Sequence, residues 1–146
     1  MRWKRALVPG FAAWLIGYVI LGNLLFMNPL TADLYAKYAA QLCSKPVESF
    51  GGLAPWLGVM MLGGLAAWLI LSAIYSILYK SIPGKGWRKG LSYGLMLFLI
   101  SDVTVAFNSW LLHSYPEVIL FVELGNAFVG TVVGGIVLAL VYEKLK

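Results

Sequence analysis

The sequence predicts an all-α integral membrane protein with four transmembrane helices, arranged as two helical hairpins in a parallel repeat. Composition is the first reason. Of 146 residues, 61% are hydrophobic and 12% are charged, whereas a soluble domain carries roughly a quarter charged residues and cannot bury so much apolar surface. The second reason is that four apolar stretches are long enough to cross a bilayer. The third is that basic residues cluster at the ends of these stretches.

A transmembrane helix needs about 20 predominantly apolar residues. The stretches that meet this requirement are 6–27, 55–79, 90–112 and 117–141. The first follows Arg2, Lys4 and Arg5, as the apolar region of a signal peptide would, but it exceeds the roughly 7–15 residues of a cleaved signal. We interpret it as a retained helix, with cleavage near Ala32 as the alternative. The chain, 1–146, is predicted to form a single domain.

The positions of lysine and arginine predict the orientation. If all four segments span, nine of the eleven basic residues lie on one side of the membrane, and only Lys37 and Lys45 lie on the other. By the positive-inside rule, both termini are then cytoplasmic. We predict a multi-pass protein of the cell or plasma membrane, surrounded by lipid. Because the positive charge marks helix ends, the net charge of +5 does not indicate nucleic acid as a partner.

The segment between the first two spans has an amphipathic pattern. Leu34, Tyr38 and Leu42 recur at helical spacing, with charged and amide side chains along another face. This pattern predicts a short amphipathic helix over about 30–45 at the outer surface, ended by Pro46 and the following glycines. Such a helix would cap the bundle or, alternatively, would serve as a lid over a ligand or as a contact for a partner.

The two halves of the chain, 1–80 and 85–146, resemble each other. The flank Trp3-Lys4-Arg5 and the stretch Trp14-Leu15-Ile16 recur 84 residues later as Trp87-Arg88-Lys89 and Phe98-Leu99-Ile100. Leu57-Gly58 recurs as Leu124-Gly125, at a spacing of 67. Because both halves begin on the same side, they would form a parallel repeat about an axis along the membrane normal. Asp102 then corresponds to Tyr18 and Glu123 to Trp56, so any polar site would belong to the second half.

Two acidic residues, Asp102 and Glu123, lie inside the apolar segments. An ionised carboxylate is costly in hydrocarbon, so such residues usually face a protein interior or a wet cavity. The short turn between the last two segments predicts antiparallel neighbours, which would bring polar side chains to similar depths. The predicted intramembrane polar cluster consists of Asp102, Glu123, Asn126, Ser109, Asn108 and Asn23. Its carboxylates would share a proton and exchange it with a carried substrate; alternatively, a protonated Asp102 bonded to Asn126 would only join helices.

The loop before the third span is basic. It contains the candidate contacts for lipid headgroups, which are Lys80, Lys85, Arg88 and Lys89, although topology marking alone accounts for these charges. The loop lacks the spacing of a nucleotide-binding loop. The single cysteine, Cys43, allows no internal disulfide, and one histidine with scattered acids makes a poor metal site. No metal or other cofactor is predicted.

Three functions remain open. The favoured hypothesis is a non-enzymatic structural or accessory membrane subunit, whose buried polar residues determine packing. The alternative is a small transporter or channel, oligomeric, with a proton- or cation-responsive site at Asp102 and Glu123. An intramembrane enzyme is disfavoured, because Asp102 and His113 lie about 16 Å apart along one helix. No catalytic residue is predicted, and a homo-oligomer or a larger membrane complex is the expected assembly.

Overall fold

The computed structural model describes residues 4–26, 28–39, 47–113 and 116–146. Throughout these ranges the regular structure is helical, and four helices are long and apolar enough to cross a membrane, which confirms the predicted class at this level. In chain order the helices are α1 (Lys4–Leu25), α2 (Pro29–Tyr38), α3 (Leu53–Leu78), α4 (Trp87–Leu112) and α5 (Glu117–Lys144). A 3₁₀ turn, Val47–Phe50, precedes α3. Helix α4 thus begins at Trp87, before the predicted span, and it includes the basic residues that flank that span.

Helix α2 occupies the beginning of the predicted amphipathic segment. The side chain of Asn28 caps it by accepting a 2.9 Å hydrogen bond from the Thr31 amide, and Pro29 takes the first helical position. The Thr31 hydroxyl donates to the carbonyl of Leu25 and so joins α2 to the end of α1. The remainder of the predicted helix, including Leu42 and Pro46, lies outside the described residues.

The long helices pack around α5. Helix α1 packs against α3 and α5, and α4 packs along α5. Glycine makes the α4–α5 contact possible, because a Cβ on Gly90 would lie only 2.6 Å from the carbonyl oxygen of Gly135. In the described part of the chain, α3 and α4 have no comparable backbone packing. They meet through Tyr93, whose hydroxyl donates to the Leu71 carbonyl over 2.7 Å.

Aromatic side chains close the end of the bundle at which α1 begins, α5 ends and the loop joins α3 to α4. We call it the basic end, and we call Tyr75, Tyr79, Tyr93 and Tyr142 the tyrosine cluster. The fully buried Tyr75 ring lies 5.0 Å from Tyr93 and 5.3 Å from Tyr142, edge to face in both cases. Glu143 accepts hydrogen bonds from the Gly86 amide and the Tyr79 hydroxyl, which ties the loop to α5.

Both α1 and α4 contain a π-helical segment, Trp14–Ile20 and Phe98–Asp102. A π-helical turn holds more residues than an α-helical turn, so the faces of the helix rotate by about 100° for each extra residue. In α4, the side that Gly90 presents to α5 is therefore continued by Asp102 at the end of the π segment and by Ala106 and Ser109 after it. Asn108 is turned to the exposed side instead.

Candidate functional site

A cavity of about 790 Å³ lies among the four long helices, in the half of the bundle remote from the basic end. All four helices contribute to its wall. Its volume is within the range of cavities that hold small organic ligands, about 300–1,000 Å³. Among the described residues, α3 and α4 lack close backbone packing and are joined through Tyr93 near the basic end, which leaves the other half of the bundle open between them.

Most of the predicted polar cluster lines this cavity. The lining members are Asn23 of α1, Asp102 and Ser109 of α4, and Glu123 and Asn126 of α5. Asn108, the sixth predicted member, is exposed and does not line it. Helix α4 is regular from Val103 to Leu112, so Asn108 is turned by about 120° from Asp102, whereas Ser109 returns to within about 20° of it. Asn23 donates its amide hydrogen to the Val19 carbonyl of its own helix.

Asp102 has a hydroxyl partner on the neighbouring helix. A hydrogen bond joins its carboxyl group to Thr131, whose hydroxyl also lies 2.6 Å from the Ala127 carbonyl. The second carboxyl oxygen of Asp102, Oδ2, is buried without a hydrogen-bond partner in the described ranges, and so is the amide nitrogen of Asn126. These two atoms therefore do not bond to each other. Buried polar atoms normally have a hydrogen-bond partner, so this part of the wall holds an unsatisfied acceptor and an unsatisfied donor.

Glu123 is bonded to a residue outside the long helices. Its Oε1 accepts a 2.5 Å hydrogen bond from the hydroxyl of Tyr35, which belongs to α2. Helix α2 also packs against α5, so it lies at the end of the cavity remote from the basic end. Sequence reasoning missed Tyr35. The only available signal was that it stands beside Leu34 on a predicted surface helix, and that signal does not name a partner.

The rest of the lining is aromatic and apolar. Tyr18 packs its ring against Gly64 and donates from its hydroxyl to the Met60 carbonyl over 3.3 Å. The buried Trp68 reaches from α3 to Gly134 of α5, so its indole forms the wall nearest the tyrosine cluster. The remaining large side chains of this wall are Trp56, Leu57 and Met61. These rings and thioethers lie on α1 and α3, whereas the carboxylates lie on α4 and α5.

The cavity is exposed between α3 and α4. Met60 of α3 and Val105 of α4 both line it, yet their side chains are 44% and 62% exposed. Because these two helices lack close backbone packing in the described residues, their exposed lining side chains form the edges of a mouth. In a membrane, this mouth would face the acyl chains.

The basic loop contains two kinds of cation. Lys80, Lys85 and Arg88 are exposed. Lys89 is only 7% exposed, and its Nζ donates to the Tyr79 carbonyl over 2.6 Å and lies 3.9 Å from the Tyr79 ring centroid. Desolvation raises the pKa of the Tyr79 hydroxyl above its ordinary value, and the neighbouring Glu143 carboxylate adds to the rise. Lys89 thus serves the closed basic end, while the other three cations face outward.

The fold and the cavity together define an all-helical protein of membrane-spanning composition, with one acidic and one aromatic wall around an internal cavity. No three His, Cys, Asp or Glu side chains converge as metal ligands within the described ranges. No family model matches the chain, and no curated protein or solved structure matches it either.

Proposed function

We propose that this protein is a small membrane transporter, with a proton- or cation-responsive substrate site at Asp102 and Glu123. The observation that carries the proposal is that both carboxylates line one cavity, together with Ser109 and Asn126. Carboxylates that served only helix packing would be enclosed by hydrogen-bond partners in a closed bundle. The cavity leaves room for a substrate beside them, which favours transport over the structural or accessory role.

Thr131 gives Asp102 a hydrogen-bond partner in either protonation state. An ionised Asp102 accepts the Thr131 hydroxyl hydrogen, which then leaves the Ala127 carbonyl. A neutral Asp102 donates its own hydrogen to the Thr131 oxygen, and the hydroxyl keeps its 2.6 Å bond to Ala127. The Asp102–Thr131 pair thus keeps a hydrogen bond in both protonation states, so Asp102 can take up or release a proton without losing this partner. A proton can therefore compete with a cationic group for the carboxyl group, and this competition would couple protonation to substrate binding.

The proposed orientation follows from the basic end. Eight of the nine lysines and arginines in the described ranges flank it, so the positive-inside rule makes this end and both termini cytoplasmic, in the cell membrane. The cavity and α2 then lie toward the outer surface. At the inner surface, Lys80, Lys85 and Arg88 are exposed and suited to anionic lipid headgroups.

The proposal includes two fused helical hairpins in a parallel repeat, and equivalent helix contacts support it. A Cβ on Gly10 would meet the Trp68 carbonyl and the Leu69 Cα, whereas one on Gly94 would meet the Thr131 carbonyl and the Val132 Cα. The glycines are 84 residues apart, as the sequence predicts, and the contacted pairs are 63 apart. The π-helical segments begin 84 residues apart as well, at positions 14 and 98.

The offset of 63 differs by one helical turn from the 67 that Leu57-Gly58 predicts. It makes Met60 the counterpart of Glu123, while Tyr18 remains the counterpart of Asp102. Tyr18 and Met60 share a hydrogen bond across the first hairpin. In this alignment the second hairpin has carboxylates where the first has an aromatic–thioether contact, so a single acidic site belongs to each chain.

A homodimer is part of the proposal, and it would use the outward side of α4. Ser101, Thr104 and Asn108 are exposed there, and their side chains have no hydrogen-bond partner in the described part of the chain. An unpaired amide facing lipid is unfavourable. Because an amide both donates and accepts, Asn108 can pair with the partner's Asn108 about a twofold axis along the membrane normal.

Accessibility of the cavity tests the transporter without any knowledge of its substrate, because transport requires access from each side in turn. The probe is a cysteine at Ala127, a lining residue, in a Cys43→Ser background reconstituted in vesicles. A membrane-impermeant thiol reagent is added to one side and then to the other. We expect labelling from both sides, with a ratio that changes between about pH 6 and 8.

The double variant Asp102→Asn, Glu123→Gln should remove this change with pH. The matched control is a cysteine at Ala66 of α3, which is exposed on the span but does not line the cavity and should resist the reagent from both sides. If the Ala127 cysteine is labelled from one side only, or from neither side, the transporter is excluded and the structural role is supported.

A further inference from the structure

We infer that the substrate of this cavity is a lipophilic cation, such as an amine or quaternary ammonium with apolar substituents, which enters from the bilayer between α3 and α4. This inference rests on the proposed function and adds the chemical class and the route. Three observations carry it: the sign of the charge in the cavity, the division of its wall, and the position of its mouth.

The charged groups of the cavity wall are acidic. Asp102 and Glu123 line it, whereas no lysine or arginine in the described ranges does. The Thr131 hydroxyl, which bonds to the Asp102 carboxyl group, brings no positive charge, and neither does the Tyr35 hydroxyl that donates to Glu123. An anionic substrate would be repelled at this site, and a neutral one would leave the Asp102 carboxylate uncompensated. A cation compensates it.

The wall opposite the acids suits the apolar part of such a substrate. Tyr18, Trp56 and Trp68 present aromatic rings, and Met60 and Met61 present thioethers. Aromatic faces attract cations, and the attraction strengthens where water is excluded. Polarisable methionines adapt to varied apolar shapes. A substrate with a positive centre and apolar substituents can contact both walls together, which a strongly hydrated inorganic ion cannot do.

The route follows from what closes each end. The tyrosine cluster fills the basic end. At the other end, α2 is bonded to the cavity through Tyr35 and Glu123. Between α3 and α4, the lining residues Met60 and Val105 are exposed, so this side is the open one among the described elements. A lipophilic cation accumulates in the bilayer and therefore reaches the mouth directly.

The substrate class is tested with benzyltrimethylammonium and neopentylbenzene, which have the same shape and differ by one positive charge. Binding to the protein in lipid nanodiscs is followed by tryptophan fluorescence, since Trp56 and Trp68 line the cavity. We expect the cation to bind and benzenesulfonate not to bind. Asp102→Asn and Glu123→Gln should each weaken the binding of the cation by about tenfold or more and leave that of neopentylbenzene unchanged.

Unchanged binding of the neutral isostere by the variants shows that they are folded. If neopentylbenzene binds as tightly as the cation, or if both acid variants bind the cation with wild-type affinity, the inference is overturned. It is also overturned if neither compound alters the fluorescence. Labelling of the Ala127 cysteine from both sides would still stand in each case, so failure of the substrate class is distinguishable from failure of the transporter.

The route is tested with a cysteine at Val105, at the edge of the mouth, modified by N-ethylmaleimide in the Cys43→Ser background. A cysteine at Leu99, exposed on the same helix but outside the cavity lining, is the matched control. We expect the modification at Val105 to slow the binding of benzyldimethyldecylammonium by about tenfold or more, since an added group blocks the mouth. Equal rates for the two modified proteins would overturn the lateral route.

Discussion

The Tyr35 hydroxyl donates a 2.5 Å hydrogen bond to the Glu123 carboxylate, between residues 88 positions apart in the chain. This bond joins α2, which is too short to span a membrane, to a carboxylate in the cavity wall. Any change in the charge of Glu123 therefore acts directly on α2. Binding of a cation and movement of the surface helix are expected to be coupled through this contact.

Tyr35→Phe removes the hydroxyl and retains the ring. A hydrogen bond to a charged group contributes about 1.5–3 kcal/mol, so we expect amide hydrogen exchange within α2 to accelerate by about tenfold or more. Exchange is measured by mass spectrometry in nanodiscs. Tyr38→Phe, on the same helix, is the control and should leave exchange unchanged. If the two variants exchange alike, the bond does not hold α2.

Gly90→Ala should destabilise the bundle by about 1–3 kcal/mol, since overpacked contacts force backbone shifts. The new Cβ would lie 2.6 Å from both the Gly135 carbonyl oxygen and the Ile136 Cα, which are backbone atoms. Gly58→Ala in α3 is the matched control, because a Cβ there meets nothing within 4 Å. The free energy of unfolding of that variant should rise by about 0.4–1 kcal/mol. Reversible unfolding in mixed detergent micelles measures both variants. If Gly90→Ala left the free energy of unfolding unchanged, the tight α4–α5 contact would be contradicted.

Thr131→Val removes the hydroxyl partner of Asp102 with little change in side-chain volume. We expect the carbonyl band of the protonated Asp102 carboxyl group to move to higher frequency in infrared difference spectra, because a hydrogen bond is lost. Asp102→Asn identifies the band by removing it. Thr104→Val, at an exposed position of α4, should leave the band in place. If Thr131→Val leaves the frequency of the Asp102 band unchanged, Thr131 takes no part in the proposed proton exchange.

Replacing the buried cation of the basic loop should have a different effect from replacing its exposed cations. Lys89→Gln should lower the free energy of unfolding by about 1–3 kcal/mol, because the Tyr79 carbonyl loses the charged donor that the buried Lys89 supplies. Replacing Lys80, Lys85 and Arg88 by Gln should leave stability within about 0.5 kcal/mol. The same triple variant should retain less anionic lipid in native mass spectrometry. Equal lipid retention would refute the headgroup contacts.

Asn108→Leu should weaken the proposed dimer. Loss of an interhelical amide pair in a membrane costs about 0.6–2 kcal/mol, so the dimer fraction at a fixed protein-to-lipid ratio should fall several-fold. Single-molecule photobleaching in vesicles counts the subunits. Ile100→Leu, an apolar exchange at an exposed position of α4, is the control. A dimer fraction unaffected by Asn108→Leu would point to another interface or to a monomer.

Much of the architecture was predictable from the amino-acid sequence, because it depends on length and polarity alone. Four apolar stretches become four membrane-length helices, and their ends differ from prediction by only a few residues. The carboxylates Asp102 and Glu123 stood out because apolar surroundings make them conspicuous. The depth in the membrane expected for each residue of two antiparallel helices was enough to group these acids with Asn126. The structure brings all three residues to one cavity.

What the sequence could not supply depends on local geometry and on distant contacts. The π-helical segment Phe98–Asp102 carries no simple sequence signal, yet it brings the side of α4 with Asp102 and Ser109 into line with the side that Gly90 presents to α5. The burial of Lys89 follows from the fold of the loop around Tyr79. The bond from Tyr35 to Glu123 joins two elements whose pairing no periodicity encodes.

Gly134 does not line the cavity, but it determines how large the cavity is. The indole of Trp68 rests on this glycine, and a Cβ there would lie within 2.2 Å of the ring. Any larger residue at 134 would push the indole toward the space that a ligand would fill. The size of residue 134 therefore sets the volume left for a ligand. Substitution at this position can change which ligands fit, although a bound ligand would not contact it.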